Sequence, residues 1–448
     1  MKKLFIYAAV FMFCFLSGAA GAAVNQVRLN NGMLLLLEEN HSLPIVSMQL
    51  WVKTGSVNED DSTNGLSHFI EHMIFKGTQE YAVERVFEEV EKRGGVINAA
   101  TSKDFTYFYI TLPVNLNEYL GETFAPNSVE TGLDILFQFS SMATFPQDEL
   151  ENERFVVLEE ISRKEDAPQR VLWEAFSKML FRGHPYVRTV LGTEENISGF
   201  KREDLIAYYE KHYIPSNFVL VVTGDFNSRR VTSQVKKIFT GQFNKYVLKA
   251  VPAAQVPDTA PGQEEITIEE DVQHAYVVMG VPGPMGNSYD AYVMDVLAHV
   301  MGSGRSSRLY QSLREQKRLV WDIGSSFSTQ VYNGPFYVSF ECEPDKIAAV
   351  KEEVFKEIKR MSQELCTRDE IDRAKAGLES GHLMSTETCS GRGFIMGYYE
   401  IIGSYRLGLD YVDRMRKVSP EDIKRVASKY LNADLFKCAM VVPEGKNK

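Results

Sequence analysis

His68, Glu71 and His72 stand in the order H-x-x-E-H within Gly65-Leu66-Ser67-His68-Phe69-Ile70-Glu71-His72-Met73-Ile74-Phe75-Lys76-Gly77-Thr78. On a helix, residues four apart lie on one face a turn apart, so both imidazoles can bind one ion. Neutral imidazole nitrogens are good zinc ligands. Glu71 shares that face and can reach a water beside the ion without binding the ion itself, as a general base must. The chain has only 8 histidines in 448 residues, so this grouping is seldom a chance one.

Two imidazoles do not hold a catalytic zinc; a third protein ligand is needed, with one position left open. The acidic stretch Glu151-Asn152-Glu153-Arg154-Phe155-Val156-Val157-Leu158-Glu159-Glu160-Ile161 is the best source. Glu153 and Glu160 are seven apart and share a helix face, whereas Glu159 points about 100° away. One of that pair would ligate and the other would hold a ligand histidine. The spacing leaves open which does which.

These residues need a scaffold, and the chain has the length for two or three domains. Lys2 and Lys3, the apolar run Leu4 to Leu16 and the small residues Ser17 to Ala23 read as a signal peptide over residues 1–22. A periplasmic or secreted location and no membrane span in the mature chain follow. The formal net charge is −11, more negative by two once the peptide leaves, which argues against a nucleic-acid partner. The four remaining cysteines, Cys342, Cys366, Cys389 and Cys438, form no C-x-x-C pair. Any metal is therefore bound by histidine and carboxylate.

The pattern predicts a hairpin around Asn30-Asn31-Gly32 and a half-buried strand with Val46, Met48, Leu50 and Val52 on its inner side. The motif helix follows, with Ser62, Thr63 or Asn64 as its cap. A helix ending at Gly94-Gly95, strands over 96–99 and 106–112, and helices over 131–142, 147–163 and 203–213 come next, then a strand over 218–223. Residues 241–262 lose periodicity and carry Pro252, Pro257 and Pro261. They divide a metal-binding domain, 23–240, from a second domain, 263–448. Arg202-Glu203-Asp204-Leu205 with Phe218-Val219-Leu220 reappears 218 positions later as Pro420-Glu421-Asp422-Ile423 with Phe436-Lys437-Cys438. The fold class is therefore α+β: two similar α/β halves in tandem, each a sheet covered by helices. The second half offers a single histidine, His299, where the motif helix belongs, so only the first half can carry the metal. Gly302-Ser303-Gly304 lacks the glycine spacing and lysine of a phosphate loop and reads as a helix terminus or hinge.

H-F-I-E-H-M-I-F-K-G-T, G-G-V-I-N-A-A-T-S, E-R-F-V-V-L-E-E-I, G-H-P-Y and S-S-R-L-Y-Q-S-L-R-E follow one another along nearly the whole mature chain. Together they resemble the pitrilysin and mitochondrial-processing-peptidase family of inverzincins, in its two-domain bacterial form. The resemblance implies a zinc endopeptidase acting on peptides or unfolded segments, with one zinc per chain. It makes Glu160 the third ligand beside His68 and His72, Glu153 the carboxylate behind a ligand histidine, and Glu71 the general base. It implies that Asn98 and Ala99 lie on a strand that pairs with substrate; an exposed sheet edge suits an extended peptide. It implies a clamshell assembly, as a homodimer or as a heterodimer with a related chain. Arg314 resembles a family arginine that acts with a tyrosine seven residues later, but here that position is Trp321, which has no hydroxyl. The departure raises the alternative of a zinc subunit needing a partner with the Arg/Tyr pair. The rival reading, a non-catalytic peptide-binding or assembly subunit of the same fold, is disfavoured by the presence of His68, Glu71, His72 and Glu160 together. The 88 positions from His72 to Glu160 are more than the family pattern suggests, and Leu116 to Thr131 reads as an insertion.

Overall fold

A computed structural model of the chain describes residues 23–114, 127–165, 167–239 and 262–445. The expected signal peptide and all of the expected linker but Gly262 lie outside the described residues. So does the expected insertion as far as residue 126; its end, from Ser128, is the first turn of a helix.

The first half runs β1 (Asn25–Arg28), β2 (Leu34–Glu39), β3 (Ile45–Val52), α1 (Leu66–Ile74), α2 (Arg85–Glu91), β4 (Val96–Thr101), β5 (Thr106–Pro113), α3 (Ser128–Ser141), α4 (Gln147–Glu165), α5 (Pro168–Leu180), α6 (Glu194–Gly199), α7 (Arg202–His212), β6 (Phe218–Gly224) and α8 (Ser228–Phe239). The second runs β7 (Glu264–Glu270), β8 (Ala275–Met285), α9 (Tyr289–Gly302), β9 (Asp322–Phe327), β10 (Asn333–Cys342), α10 (Ile347–Gln363), α11 (Arg368–Ser385), α12 (Cys389–Ile402), α13 (Tyr405–Leu409), α14 (Tyr411–Arg416), α15 (Pro420–Tyr430) and β11 (Lys437–Pro443).

The two sheets share one plan. The first has the order β1-β2-β6-β3-β5-β4 and the second β7-β11-β8-β10-β9. Among the described strands only the β2–β6 and β7–β11 pairs are parallel, and they occupy equivalent places. The strand β1, paired antiparallel with β2, is the addition in the first half. The repeat expected from the 218-residue offset is thus carried through the strand order of both halves.

Helices cover both faces of each sheet, and the halves exchange one helix each. Leu35, Leu37, Val46, Met48, Leu50, Phe108 and Ile110 meet α1, α3 and α7 on the inner face of the first sheet. Its outer face, through Leu34, Leu36, Trp51, Val219 and Val221, is covered by Met396 and Ile401 of α12 from the second half. Reciprocally, Leu172, Phe176, Met179 and Leu180 of α5 cover Val278, Ala439 and Val441 of the second sheet. Each large apolar side chain so buried is worth roughly 1.5–3 kcal/mol, which makes the exchange a major part of the contact between halves.

The exchange corrects the expectation for β3, which is buried on both faces rather than half-buried. Trp51 is fully buried and donates its indole N–H to Gln49 (3.2 Å), and Gln49 donates to the Ser390 carbonyl of α12 (2.8 Å). Gly397 makes room: a Cβ there would lie 2.1 Å from the Trp51 indole nitrogen. All four described cysteines are free, three of them buried. No helix among the described residues is long and apolar enough to cross a membrane.

Candidate metal centre

Helix α1 is apolar and polar by turns. Phe69, Ile70, Met73 and Ile74 are fully buried against the sheet, and this fixes the rotation that turns His68, Glu71 and His72 toward α4 and β4. The expected caps do not cap it. Ser62 and Thr63 instead bond the Asp60 carboxylate. The helix starts at Gly65 with φ +106°, a conformation that favours glycine. The buried Glu59 carboxylate accepts the Gly65 and Ser67 N–H groups (2.9 and 2.8 Å) and the Asn64 amide (2.9 Å). A carboxylate at a helix N-terminus satisfies otherwise orphaned donors and opposes the helix dipole favourably. No local spacing rule identifies Glu59, since it reaches the cap from outside the capping box.

Glu160 of α4 comes within 3.6 Å of His68 Nε2 and 3.8 Å of His72 Nε2. The ligand atoms of His68, His72 and Glu160 all lie within 4.8 Å of one another. A tetrahedral zinc with bonds of about 2.0–2.2 Å needs ligand pairs about 3.3–3.6 Å apart, close to these separations. The donor set of two nitrogens and one oxygen is also that of a zinc site. Among the described residues this is the one cluster of at least three histidine, cysteine or carboxylate groups arranged to hold a metal. The residues present therefore fit the ion that the motif implies.

The surrounding groups hold the cluster in place. Val157 of α4 is fully buried and anchors the face that carries Glu153 and Glu160. Glu153 accepts from His72 Nδ1 at 3.0 Å, so Nε2 is the nitrogen turned toward Glu160. Lys76 pairs with the other Glu153 oxygen at 2.8 Å. Burial works against the Glu153 charge, but the bonds from His72 and Lys76 outweigh it and lower its pKa. Lys76 was missed in the sequence, although it stands four residues after His72 and so on the same helix face.

Burial, helped by the neighbouring His72, lowers the pKa of His68 to about 3, so this imidazole is neutral and ready to ligate. Burial raises the Glu71 carboxyl, against the opposing Thr101 bond and His72 charge. Glu71 Oε2 accepts from the Thr101 hydroxyl at 2.6 Å. Thr101 ends β4, so the strand expected to receive substrate also touches the expected base.

The outer edge of β4 has no partner strand among the described residues; on its other side Asn98 faces Tyr109 and Ala99 faces Phe108 of β5. The Asn98 side-chain oxygen accepts the Ala99 N–H at 2.9 Å. Among the described residues, Arg314 makes its ion pair and ring contact within the second half rather than with the cluster. It belongs to a π-helical segment, Tyr310–Gln316, with its guanidinium over the Tyr310 ring (5.0 Å) and 3.7 Å from Asp322. Trp321 packs its half-exposed ring on His274, with centroids 3.9 Å apart. In α9 the lone His299 faces Gly377 of α11, where a Cβ would lie 2.7 Å from its Nε2, and among the described residues it belongs to no metal-holding cluster like that of His68, His72 and Glu160.

Residues 34–194 match the family model described as insulinase (peptidase family M16), and residues 199–378 match the peptidase M16 inactive domain. The chain is 27% identical over 416 residues to an uncharacterised zinc protease of Bacillus subtilis, YmxG, covering 93% of this chain and 97% of that one. It is 27% identical over 411 residues to an uncharacterised zinc protease of Rickettsia felis (91% and 95% covered). Its fold is similar to that of a protease from Helicobacter pylori, with TM-score 0.85 and 23% identity over 94% of this chain and 100% of that one. It is also similar to a peptidase M16 inactive domain from Pseudomonas fluorescens, with TM-score 0.79 and 20% identity over 95% and 99%.

Proposed function

The chain belongs to the M16, or pitrilysin, family of peptidases, and from that premise we propose that it is an exported zinc endopeptidase cutting peptides or unfolded polypeptide segments. The observation that carries the reading is the convergence of His68, His72 and Glu160 within 4.8 Å beside a Glu71 carboxylate held by Thr101. A relative without catalytic function would have no need of Glu71 next to that set.

His68 Nε2, His72 Nε2 and Glu160 Oε2 would hold the ion. When bound, zinc supplies a Lewis acid for the scissile carbonyl and makes nearby water more acidic. Glu153 and Lys76 keep the His72 ring turned so that Nε2 is available. An extended substrate adds to the outer edge of β4, its main chain meeting Asn98 and Ala99. Glu71 accepts the proton of the attacking water at its carboxylate and returns it to the leaving amine nitrogen.

The apolar amino-terminal run behind Lys2 and Lys3 supports export. The exchanged helices α5 and α12 interlock the two halves, which favours a clamshell closed between two chains over one closed within a chain. The partner is a second copy or a related chain. The second choice is favoured by Trp321, whose ring is engaged with His274 where the family pattern has tyrosine; Arg314 then acts only in the assembled pair.

Cleavage of a quenched peptide library by the purified chain tests the reading. Activity lost to a chelator and restored by zinc is expected. Peptide binding without cleavage, with or without a partner chain, would instead identify an assembly subunit.

A further inference from the structure

The G-H-P-Y stretch, Gly183 to Tyr186, has no part in the chemistry above, yet it forms a buried contact between the halves. Tyr186 is fully buried and Asp104 is 9% exposed. The Tyr186 phenol donates to Asp104, its oxygen 2.6 and 2.7 Å from the two carboxylate oxygens. The same phenol oxygen accepts the Tyr332 N–H, and Asp104 accepts the Val331 N–H, each at 3.2 Å. Residues 331 and 332 belong to the β9–β10 loop of the second half, which is itself held by Tyr398 of α12 on the Thr329 carbonyl and by the Gly286 N–H on the Gln330 carbonyl.

Asp104 sits in the turn joining β4 to β5. The turn is closed by the Ser102 N–H on the Phe105 carbonyl (2.7 Å). On its other side the Ser102 and Lys103 carbonyls accept the Ser56 and Val57 N–H groups (3.3 and 2.9 Å). One residue before the turn, Thr101 holds Glu71. His184 shapes the other partner: its Nδ1 accepts the Tyr186 N–H at 3.1 Å and fixes the short helical turn from which the phenol projects.

We propose that Tyr186 and Asp104 are positioning residues: a clasp, closed by two backbone N–H groups of the second half, that fixes the β4–β5 turn and so the grip of Thr101 on Glu71. The second half then contributes to this site through the Val331–Tyr332 backbone, independently of Arg314 and Trp321. The catalytic part of this inference rests on the peptidase reading; the clasp itself does not. A buried hydrogen bond to a carboxylate is worth enough to change local opening by tenfold or more.

Amide hydrogen exchange of the full chain tests it. Tyr186→Phe is compared with Tyr209→Phe, which loses another buried phenol bond, to the Phe139 carbonyl at 2.8 Å, far from the turn in sequence. Exchange over residues 96–106 should rise about tenfold in Tyr186→Phe and stay at the wild-type rate in Tyr209→Phe. Asp104→Asn, the second variant should the first misfold, is expected to loosen the same segment. In peptide cleavage, kcat of Tyr186→Phe should fall as kcat of Thr101→Val falls, and the double variant should fall little further. Unchanged exchange over 96–106, or a rise spread evenly over the chain, overturns the clasp. Losses in kcat that multiply in the double variant overturn its link to Glu71. A wild type that cleaves nothing refutes the peptidase reading, while the exchange comparison still decides the clasp.

Discussion

His72 is held by a chain of charges, Lys76 to Glu153 to Nδ1, while its Nε2 faces Glu160. Such outer partners fix ring orientation and raise ligand basicity. Glu153→Ala is therefore expected to weaken zinc binding by roughly 10–100-fold in competition with a chromogenic chelator. Lys76→Met should weaken it less, because Glu153 can still accept from His72; equal affinity in all three proteins would contradict this role. Much of this cluster is legible in the sequence. H-x-x-E-H fixes a helix face by spacing alone, and Glu153 and Glu160 share a face for the same reason. Spacing could not say which glutamate ligates, since that depends on how α4 crosses α1. Glu59 and Thr101 were not legible as partners: their bonds to α1 come from a turn and a strand end that only the tertiary fold brings near.

Helices α9 and α12 carry two features with measurable consequences. Burial pushes the Asp295 carboxyl of α9 up to about 7, against the opposing hydrogen bond from Tyr411. The folded state thus keeps a proton that the unfolded chain releases near pH 4. The stability this gives is full below about pH 4 and is lost as pH rises to about 7. Asp295→Asn removes the dependence. Between pH 5 and 8 the variant should gain on wild type by on the order of 2–3 kcal/mol in urea titrations. A constant difference would show that Asp295 does not hold its proton. In α12, Gly397 lies against the Trp51 indole. Gly397→Val should destabilise the protein by about 1–3 kcal/mol, read as a lower thermal midpoint. The sequence reading places a helix at α9 but none at α12, and no spacing rule tells which sheet a buried helix packs against. That is why β3, read as half-covered, proved to be covered on both faces.

Across the whole molecule, the exchange of α5 and α12 makes each half complete the core of the other. Cleavage at a site inserted between residues 245 and 255 should leave two fragments that elute together under native conditions; separation would contradict the interlocking. The repeat was visible in sequence because equivalent strand and helix ends keep the same apolar pattern 218 positions apart. The exchange was not, because Leu172, Phe176, Met179 and Leu180 form the same apolar face whichever sheet receives it. The interlocked halves hold α1, α4 and β4 around one small cluster, where Glu71 is the proposed base for peptide hydrolysis. The decisive measurement is peptide cleavage by zinc-loaded Glu71→Gln beside wild type at equal zinc content. Full zinc occupancy with turnover reduced by about 10²–10⁴-fold is the predicted result, and a zinc-loaded variant that cleaves peptides at the wild-type rate would contradict it.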